Sequence, residues 1–322
     1  MATSQKQIAE KLGVSIALVS RVLSGKAAEI GIAPETIERV LKTAEEMGYV
    51  PSAAALALKG KATRTLGVVV YDFKDPFFGA IIEQLQIQAR EHGYSLVLAG
   101  FLNRNPDEQD LQPLHKHALD GLIVIGTDPN AEWLNSFQTL PVARVGHGGP
   151  NEQSIRVTVD ENQAARLLID HLVETGRKRL TYLSANLPAH RIRQDAFERA
   201  TRSHGIELAT RLSPERGAFA AGRQTATDLI RSHGDMDALI CATDQVAMGA
   251  LNALNDAGMA VLGQIAVTGF DDIATAEQFI PAITTIRQPI EQIVKQAFNA
   301  VVDPGKPKEI VLPGTLIAGQ TA

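Results

Sequence analysis

The sequence predicts an α/β protein, with a small all-helical N-terminal segment followed by a larger body of doubly wound parallel sheets. Three observations support this fold class. Amphipathic segments follow one another closely before residue 50, short apolar runs alternate with longer amphipathic stretches after Leu66, and 45% of the 322 residues are hydrophobic. Such alternation is typical of βαβ units. The length favours two or three compact units.

Residues 4–25, SQKQIAEKLGVSIALVSRVLSG, have the spacing of a helix-turn-helix. Ala9 permits a close helix crossing and Gly13 suits the turn. Ser15 is a favourable N-cap because its hydroxyl can accept a hydrogen bond from the first turn of the second helix. That helix exposes Ile16, Ala17, Ser20 and Arg21. The alternative interpretation is an ordinary helical hairpin inside a larger core.

A third helix is predicted over Pro34–Met47, with Gly48 terminating it. Pro34 suits a first helical position. Pro51 prevents this helix from continuing, and the alanine- and leucine-rich stretch after it is too short to form a stable helix alone. We therefore interpret residues 1–50 as a compact head and residues 51–64 as a hinge that folds only against a partner.

In the body, runs typical of buried parallel strands lie at 66–70, 94–100, 121–126, 141–146, 180–184, 238–242, 265–270 and 309–314. Two sheets are favoured over one sheet of eight or more strands, with a first crossing between them near Val157–Asn162. The two common glycine-rich phosphate loops do not follow any of these runs. We therefore expect no nucleotide hydrolysis and no cofactor.

The charge is divided unevenly along the chain. The net charge of −5 separates into +3 for residues 1–64 and −8 for the remainder. This division fits a phosphate-contacting head on an acidic body. The single cysteine, Cys241, excludes an internal disulfide framework and a multi-cysteine zinc site. We expect no metal and, because neither a signal peptide nor a long apolar span is visible, a cytoplasmic protein without a membrane partner.

Several blocks of sequence resemble the LacI/GalR family of bacterial transcription regulators, over essentially the whole chain. They are IAEKLGVSIALVSRVLSG, ERVLKTAEEMGYVPSAAALAL, RTLGVVVYDFKDPFF, TDQVAMGALNAL and VTGFDDIATAEQFIPAITTIRQP. The resemblance implies a two-lobed, periplasmic-binding-protein-like body at 65–322, with a small effector between the lobes. It places the N-lobe at about 65–159 and 288–303, and the C-lobe at about 160–287 and 304–322. It also implies homodimers that bind a pseudo-palindromic operator in double-stranded DNA. A protein bound to its operator would be associated with the nucleoid.

For DNA, the resemblance places the second helix in the major groove and a hinge leucine, here Leu58, as a wedge in the minor groove. Arg21 suits guanine, whereas Ile16 and Ala17 offer only apolar contacts such as thymine methyls. A core role for Ile16 is the alternative. The implied DNA-binding residues are Ile16, Ala17, Ser20, Arg21, Leu58 and Lys59, with Lys61 near phosphates. Leu56 and Ala33 depart from the family pattern, and Ala33 lacks a capping hydroxyl.

For the effector, the resemblance implies contacts from Asp72, Phe77, Phe78, Arg191, Arg193, Phe219, Asp244 and Gln288. Most of them follow predicted strands, where doubly wound folds bind ligands. An interlobe salt bridge is the alternative for Arg193, one of the two phenylalanines at 77–78 can belong to the core, and Asp75 is better explained as a helix N-cap. Phe219 lies three residues before Gly222, whereas the family pattern has an aromatic residue five positions before this glycine. Whether Phe219 reaches the cleft is therefore an open question. Arg177 replaces a usual histidine, and a standard hexose pocket is not assumed.

The leading hypothesis is an effector-controlled repressor without catalytic residues, whose ligand is a sugar or sugar derivative. The alternative is a receptor or transport-type binding protein without regulatory DNA binding. An enzyme using His115, His117 and His147 is a third hypothesis, although no nucleophile or metal spacing accompanies them. No heptad repeat follows Leu312, so we expect a dimer.

Overall fold

The computed structural model describes residues 3–27, 30–50, 56–58, 60–101, 104, 106–127, 132–148, 154–215, 217–261, 263–303, 305 and 309–322. The chain divides into two compact units, a head at Met1–Thr63 and a body at Arg64–Ala322. In the part of the chain given by these ranges, none of the helices is both long and apolar enough to cross a membrane.

The described residues of the head include the helices α1 (Gln5–Leu12), α2 (Ile16–Leu23) and α3 (Pro34–Glu46). Ser4 and Gln7 form a capping box at the start of α1, and Gly13 ends that helix in the left-handed conformation with φ of 67°. The three helices enclose one small apolar core of Ile8, Ala9, Val19, Val22, Ala27, Val40 and Ala44. A helix-turn-helix of this size is stable because each short helix buries its apolar stripe on the other two.

The first lobe of the body is built on a six-stranded parallel sheet with strand order β11-β5-β4-β3-β1-β2. Its elements are β1 (Thr65–Val70), α4 (Pro76–Glu91), β2 (Ser95–Gly100), α5 (Glu108–Lys116), β3 (Gly121–Ile125), β4 (Val142–Val145), β5 (Ser154–Val159), α11 (Ile290–Val302) and β11 (Glu309–Leu312), with a 3-10 helix at Glu132–Phe137. Apolar side chains fill the space between this sheet and its helices, as burial on both faces of a parallel sheet requires.

The second lobe has a four-stranded parallel sheet with strand order β7-β6-β8-β9. Its elements are α6 (Glu161–Glu174), β6 (Leu180–Ala185), α7 (Pro188–Ser203), β7 (Ala209–Ser213), α8 (Ala218–Arg231), β8 (Ala238–Cys241), α9 (Asp244–Asp256), β9 (Ala266–Thr268) and α10 (Ala274–Gln278). An antiparallel ribbon of β10 (Thr285–Arg287) and β12 (Thr315–Ile317) adjoins this lobe. Helices α8 and α9 cross closely, because Gly222 faces the Val246 carbonyl and Gly249 faces the Phe219 carbonyl.

One expected lobe boundary differs from the structure. The family resemblance places residues 304–322 in the C-lobe, but β11 pairs in parallel with β5 of the first sheet, with Ile310 opposite Val157. The chain therefore returns to the first lobe for one strand before it forms β12. An isolated strand run carries no information about which sheet it joins, since parallel pairing partners lie far apart in sequence.

Candidate functional site

The second helix of the head presents the side chains that the sequence predicts for reading DNA. Ile16 is 49% exposed, and Ala17 and Arg21 are also exposed, whereas Val19 and Val22 on the opposite face are buried. Ser20 is half-buried between these faces. The Ser15 hydroxyl accepts a hydrogen bond from the Leu18 amide at 3.2 Å. Ile16 therefore lies on the surface, against the alternative that places it in the core.

The hinge residues are only partly within the described chain. Leu58 is 89% exposed, so the described residues of the head leave its apolar side chain open to solvent. Lys59 lies outside the described residues. The Lys61 ammonium donates a hydrogen bond to the Ser24 carbonyl at 3.0 Å, which ties the hinge to the C-terminal end of α2. This is a favourable position for a cation, since the negative end of the helix dipole lies there.

In the body, Arg193 of α7 is a charged side chain that is only 5% exposed. Its Nε and Nη2 donate to the two carboxylate oxygens of Glu161 at 2.9 and 3.0 Å. Its Nη1 donates to the Ala242 carbonyl at 2.5 Å and lies 3.6 Å from Asp271 Oδ1. The guanidinium carbon is 3.4 Å from the centroid of the Phe270 ring. Both edges and one face of the guanidinium are thus occupied by the protein itself.

Glu161 links this arginine to the first lobe. It opens α6, and its Oε1 is 3.5 Å from Nε2 of His147, in the loop that follows β4. Burial alone would raise the pKa of Glu161, but the charge and hydrogen bonds of Arg193, together with the neighbouring His147, outweigh burial and lower this pKa to about 2. The Glu161 carboxylate is therefore ionised at neutral pH, and the bidentate pair with Arg193 carries no net charge.

Asp271 and Gln288 complete the environment of Arg193. The Gln288 side-chain amide donates to Asp271 Oδ1 at 2.7 Å, and both residues are buried. Burial raises the pKa of Asp271 well above its usual value, and the charge of Asp244 adds to this effect while Arg193 opposes it. Asp75 of the first lobe contributes to the same rise, so acidic groups from both lobes influence each other here.

Asp244 lies at the first position of α9 and is fully buried. The Thr285 hydroxyl donates to its Oδ1 at 2.5 Å, and the Ile273 amide donates to its Oδ2 at 2.8 Å. Burial raises the pKa of Asp244 to about 7, although these hydrogen bonds favour the ionised form. In this conformation both oxygens accept hydrogen bonds within the second lobe and the side chain is fully buried, so a ligand would reach Asp244 only after its surroundings move.

The other predicted effector residues are placed in different surroundings. Phe77 is buried in the first-lobe core and Phe78 is half-buried against it, so Phe77 has no open face for a ligand.

Asp72 is half-buried and accepts a hydrogen bond from the Lys74 amide at 2.9 Å. Arg191 is exposed and donates to Asn186 at 2.6 Å. Phe219 is 44% exposed in the first turn of α8. As predicted, Asp75 caps α4, accepting the Phe77 amide at 2.9 Å.

Of the predicted effector residues, the structure thus brings together Arg193, Asp244 and Gln288. Sequence reasoning missed Glu161, Asp271 and Phe270 as members of this group. Phe270 ends the predicted strand run at 265–270 and Asp271 follows it directly, so their position at the carboxyl end of a predicted strand was an available signal. Glu161 carried no such signal, because its partner is 32 residues away on another helix. Arg193 does form a salt bridge, with Glu161. Both residues belong to the second lobe, so this is not the interlobe salt bridge that the sequence left as an alternative.

Known proteins with similar sequence and structure support the two-part organisation. A family model described as bacterial regulatory proteins of the lacI family matches residues 5–52, and one described as a periplasmic binding protein-like domain matches residues 169–322. The regulator GalR of Escherichia coli K12 is 32% identical over 307 residues, covering 91% of this chain and 86% of GalR. The repressor PurR of Haemophilus influenzae PittEE is 30% identical over 307 residues, covering 92% and 90%.

Solved structures share the fold. The lac repressor dimer bound to operator and the anti-inducer ONPF aligns with a TM-score of 0.85 at 22% identity, covering 100% of this chain and 99% of the repressor chain. The regulator CelR in complex with cellobiose aligns with a TM-score of 0.69 at 23% identity, covering 99% and 100%. With a helix-turn-helix head, a two-lobed α/β body and these relatives along nearly its whole length, the chain belongs to the LacI/GalR family of DNA-binding transcriptional regulators that respond to small-molecule effectors.

Proposed function

We propose that this protein is a repressor that binds a pseudo-palindromic operator as a homodimer and releases or tightens its hold when a small molecule binds between the two lobes. The observation that carries the proposal is the Arg193 cluster, which is formed by Arg193, Glu161, Asp244, Phe270, Asp271 and Gln288. It joins the second lobe to His147 of the first lobe through Glu161. A ligand that contacts this cluster in only one arrangement of the lobes shifts the balance between arrangements.

On the DNA side, Arg21 is the base-reading residue with a guanidinium fork suited to guanine O6 and N7. Ile16 and Ala17 make apolar contacts beside it, Ser20 approaches the groove from the half-buried edge of α2, and Leu58 enters the minor groove with Lys59 near phosphates. The exposure of Ile16, Arg21 and Leu58 supports this assignment, since each needs an open side chain.

On the effector side, the proposed contacts centre on Arg193, Gln288 and Asp244, with a sugar or sugar derivative as the ligand. The cellobiose complex of CelR supports this ligand class, because that protein shares the fold. Asp72, Phe78, Arg191 and Phe219 remain secondary candidates at the rim. Catalysis is disfavoured: His115 stacks on Phe137, with ring centroids 4.6 Å apart, and His117 bonds the Pro113 carbonyl at 2.7 Å.

The DNA-binding half of the proposal is tested with Arg21→Ala. An operator is first selected by the full-length protein from a randomised duplex library, and binding is measured by fluorescence anisotropy at fixed salt. We expect the substitution to weaken binding to the selected operator by about 10- to 100-fold, and to remove the preference for guanine at one position of each half-site, because one bidentate pair contributes roughly 1–3 kcal/mol.

Arg39→Ala is the matched control, since Arg39 is an exposed arginine on α3, outside the reading helix. Its loss should lower affinity for all duplexes alike, with base preference intact. Retention of both affinity and base preference in Arg21→Ala would refute the assignment of Arg21. Failure of the wild-type protein to select any duplex would favour the alternative of a binding protein without DNA regulation.

A further inference from the structure

We infer that Glu161 determines the charge class of the effector: by occupying Arg193, it makes the cleft select an uncharged polyhydroxyl ligand and reject a carboxylate or phosphate. The inference rests on the proposed function in that it takes the Arg193 cluster as the effector site. It assigns Glu161 as a specificity-determining residue.

The first step of the argument is geometric. An arginine recognises a carboxylate or phosphate through two parallel N–H groups on one edge of the guanidinium. The edge formed by Nε and Nη2 of Arg193 is already taken by Glu161 at 2.9 and 3.0 Å. The edge formed by Nη1 and Nη2 faces the Ala242 carbonyl and Asp271. An anionic ligand would have to displace Glu161, whereas a hydroxyl needs only a single N–H.

The second step is electrostatic. Arg193 and Glu161 are buried and cancel one another, so the pair offers an anion no net attraction. The remaining ionisable carboxyls of the cluster, those of Asp271, Asp244 and Asp75, add negative charge whenever they ionise. Phe270 covers one face of the guanidinium. An anion displacing Glu161 would also leave that carboxylate buried without its partner, which is strongly unfavourable.

The third step concerns what the cluster offers instead. Carboxylate oxygens and the Gln288 amide are hydrogen-bonding groups suited to hydroxyls, which both donate and accept. An uncharged ligand can share these groups without removing a charge from the cluster. The arrangement therefore discriminates by penalising the wrong class of ligand, as well as by contacting the right one.

The test uses the full chain and matched pairs of ligands: glucose with glucose 6-phosphate, and adenosine with AMP, together with inorganic phosphate as the smallest anionic probe. Dissociation constants are measured by calorimetry and thermal shift at constant ionic strength. We compare wild-type protein with Glu161→Gln, which keeps the side-chain size but removes the charge. The control Asp170→Asn removes an exposed acid of the same helix, outside the cluster.

For the wild-type protein and Asp170→Asn, we expect each anionic ligand to bind no more tightly than its neutral counterpart, and phosphate not to saturate a site. Glu161→Gln should bind phosphate at least tenfold more tightly than either, and the double variant Glu161→Gln/Arg193→Gln should lose this gain. Glu161→Asp, which keeps the charge, should still reject anions. A purely structural role of Glu161 would change stability without changing this selectivity.

Tighter wild-type binding of glucose 6-phosphate or AMP than of the neutral partner would overturn the inference, as would a folded Glu161→Gln protein with no gain in phosphate affinity. If Glu161→Gln does not fold, the decision comes from phosphate titrations of the wild type and Arg193→Gln. Equal responses of the two proteins to phosphate support the inference. Saturable phosphate binding by the wild type, with none by Arg193→Gln, overturns it. These ligand titrations contain no DNA, and operator binding is measured separately. A protein that rejects anions but does not bind an operator would therefore count against the proposed function alone.

Discussion

His190 illustrates how strongly the surroundings of Arg193 constrain single residues. It is buried in the first turn of α7, and its Nδ1 accepts the Ala185 amide at 3.2 Å, which requires the neutral tautomer with its proton on Nε2. Burial, aided by the charge of Arg193, lowers its pKa to about 3. The native protein therefore keeps His190 neutral at a pH where the unfolded chain, with a histidine pKa near 6.5, binds a proton.

The sign of the resulting pH dependence follows from this depressed pKa. The contribution of His190 to stability is complete above pH 6.5 and is lost as the pH falls towards 3, by up to about 1.4 kcal/mol per pH unit. We expect the free energy of unfolding in urea to fall by about 2 kcal/mol more for the wild type than for His190→Gln between pH 7.5 and 5.0. Parallel pH profiles for the two proteins would contradict this.

Asp244 acts in the opposite direction over the same range, which is why the comparison is made between variants. Its folded pKa of about 7 lies above the unfolded value of 3.8, so its contribution is present below pH 3.8 and is lost as the pH rises through 7. The difference in pH dependence between the wild type and His190→Gln should therefore persist when both proteins also carry Asp244→Asn, which removes the opposing titration of Asp244.

The same cluster shows what could be predicted at single residues. Motifs single out Arg193, Asp244 and Gln288, and the fold brings them together although they come from different elements: Arg193 lies in the second turn of α7, Asp244 opens α9 and Gln288 follows β10. Glu161 could not be assigned, since nothing local distinguishes a carboxylate in the first turn of a helix from an ordinary dipole-stabilising acid. Phe77 is the core member of the pair at 77–78, an alternative that the sequence leaves open because an aromatic residue after a strand is compatible with both a core and a ligand face.

At the scale of elements, the third helix and the eight predicted strand runs agree with the structure within two residues at their ends, but further strands are missed. Strand β5 was absent from the predicted runs because its sequence, SIRVTV, alternates polar and apolar residues and has no continuous apolar run. Helix boundaries depend on local caps, whereas strand pairing depends on distant partners.

The start of α3 provides a test at this scale. Ala33 occupies the N-cap position with no side-chain hydrogen bond, although its backbone is extended with φ of −58° and ψ of 135°. Ala33→Ser should therefore stabilise the helix start by about 1 kcal/mol, slowing amide exchange in the first turns of α3 by about fivefold. Ser15→Ala, which removes an existing cap from α2, should speed exchange there by a similar factor. Unchanged protection in Ala33→Ser would show that the start of α3 is already fixed by Pro34.

Across the whole body, three short connections join the two lobes, between β5 and α6, between β10 and α11, and between β11 and β12. Two of them are fastened together: the Asp160 amide donates to the Leu312 carbonyl at 2.8 Å, and Gln163 exchanges two hydrogen bonds with the backbone of Gly314, at 3.1 and 3.0 Å. Glu161 follows the first connection directly, and Gln288 lies in the second. If the proposed effector site is correct, a ligand at this cluster would act at the connections about which the lobes would move.

This arrangement leads to a prediction about coupling. We expect a thermal-shift screen of sugars, nucleosides and small acids to identify a ligand that changes operator affinity by a factor of roughly 5 to 150, the usual range for allosteric coupling. Because coupling free energies are reciprocal, saturating operator must change the affinity for that ligand by the same factor. A duplex in which the guanine proposed to contact Arg21 is replaced should leave ligand affinity nearly unchanged at the same concentration. A ligand that binds tightly while operator affinity stays constant would show that the lobes and the DNA-binding head are not coupled, since equal affinity for both states shifts neither.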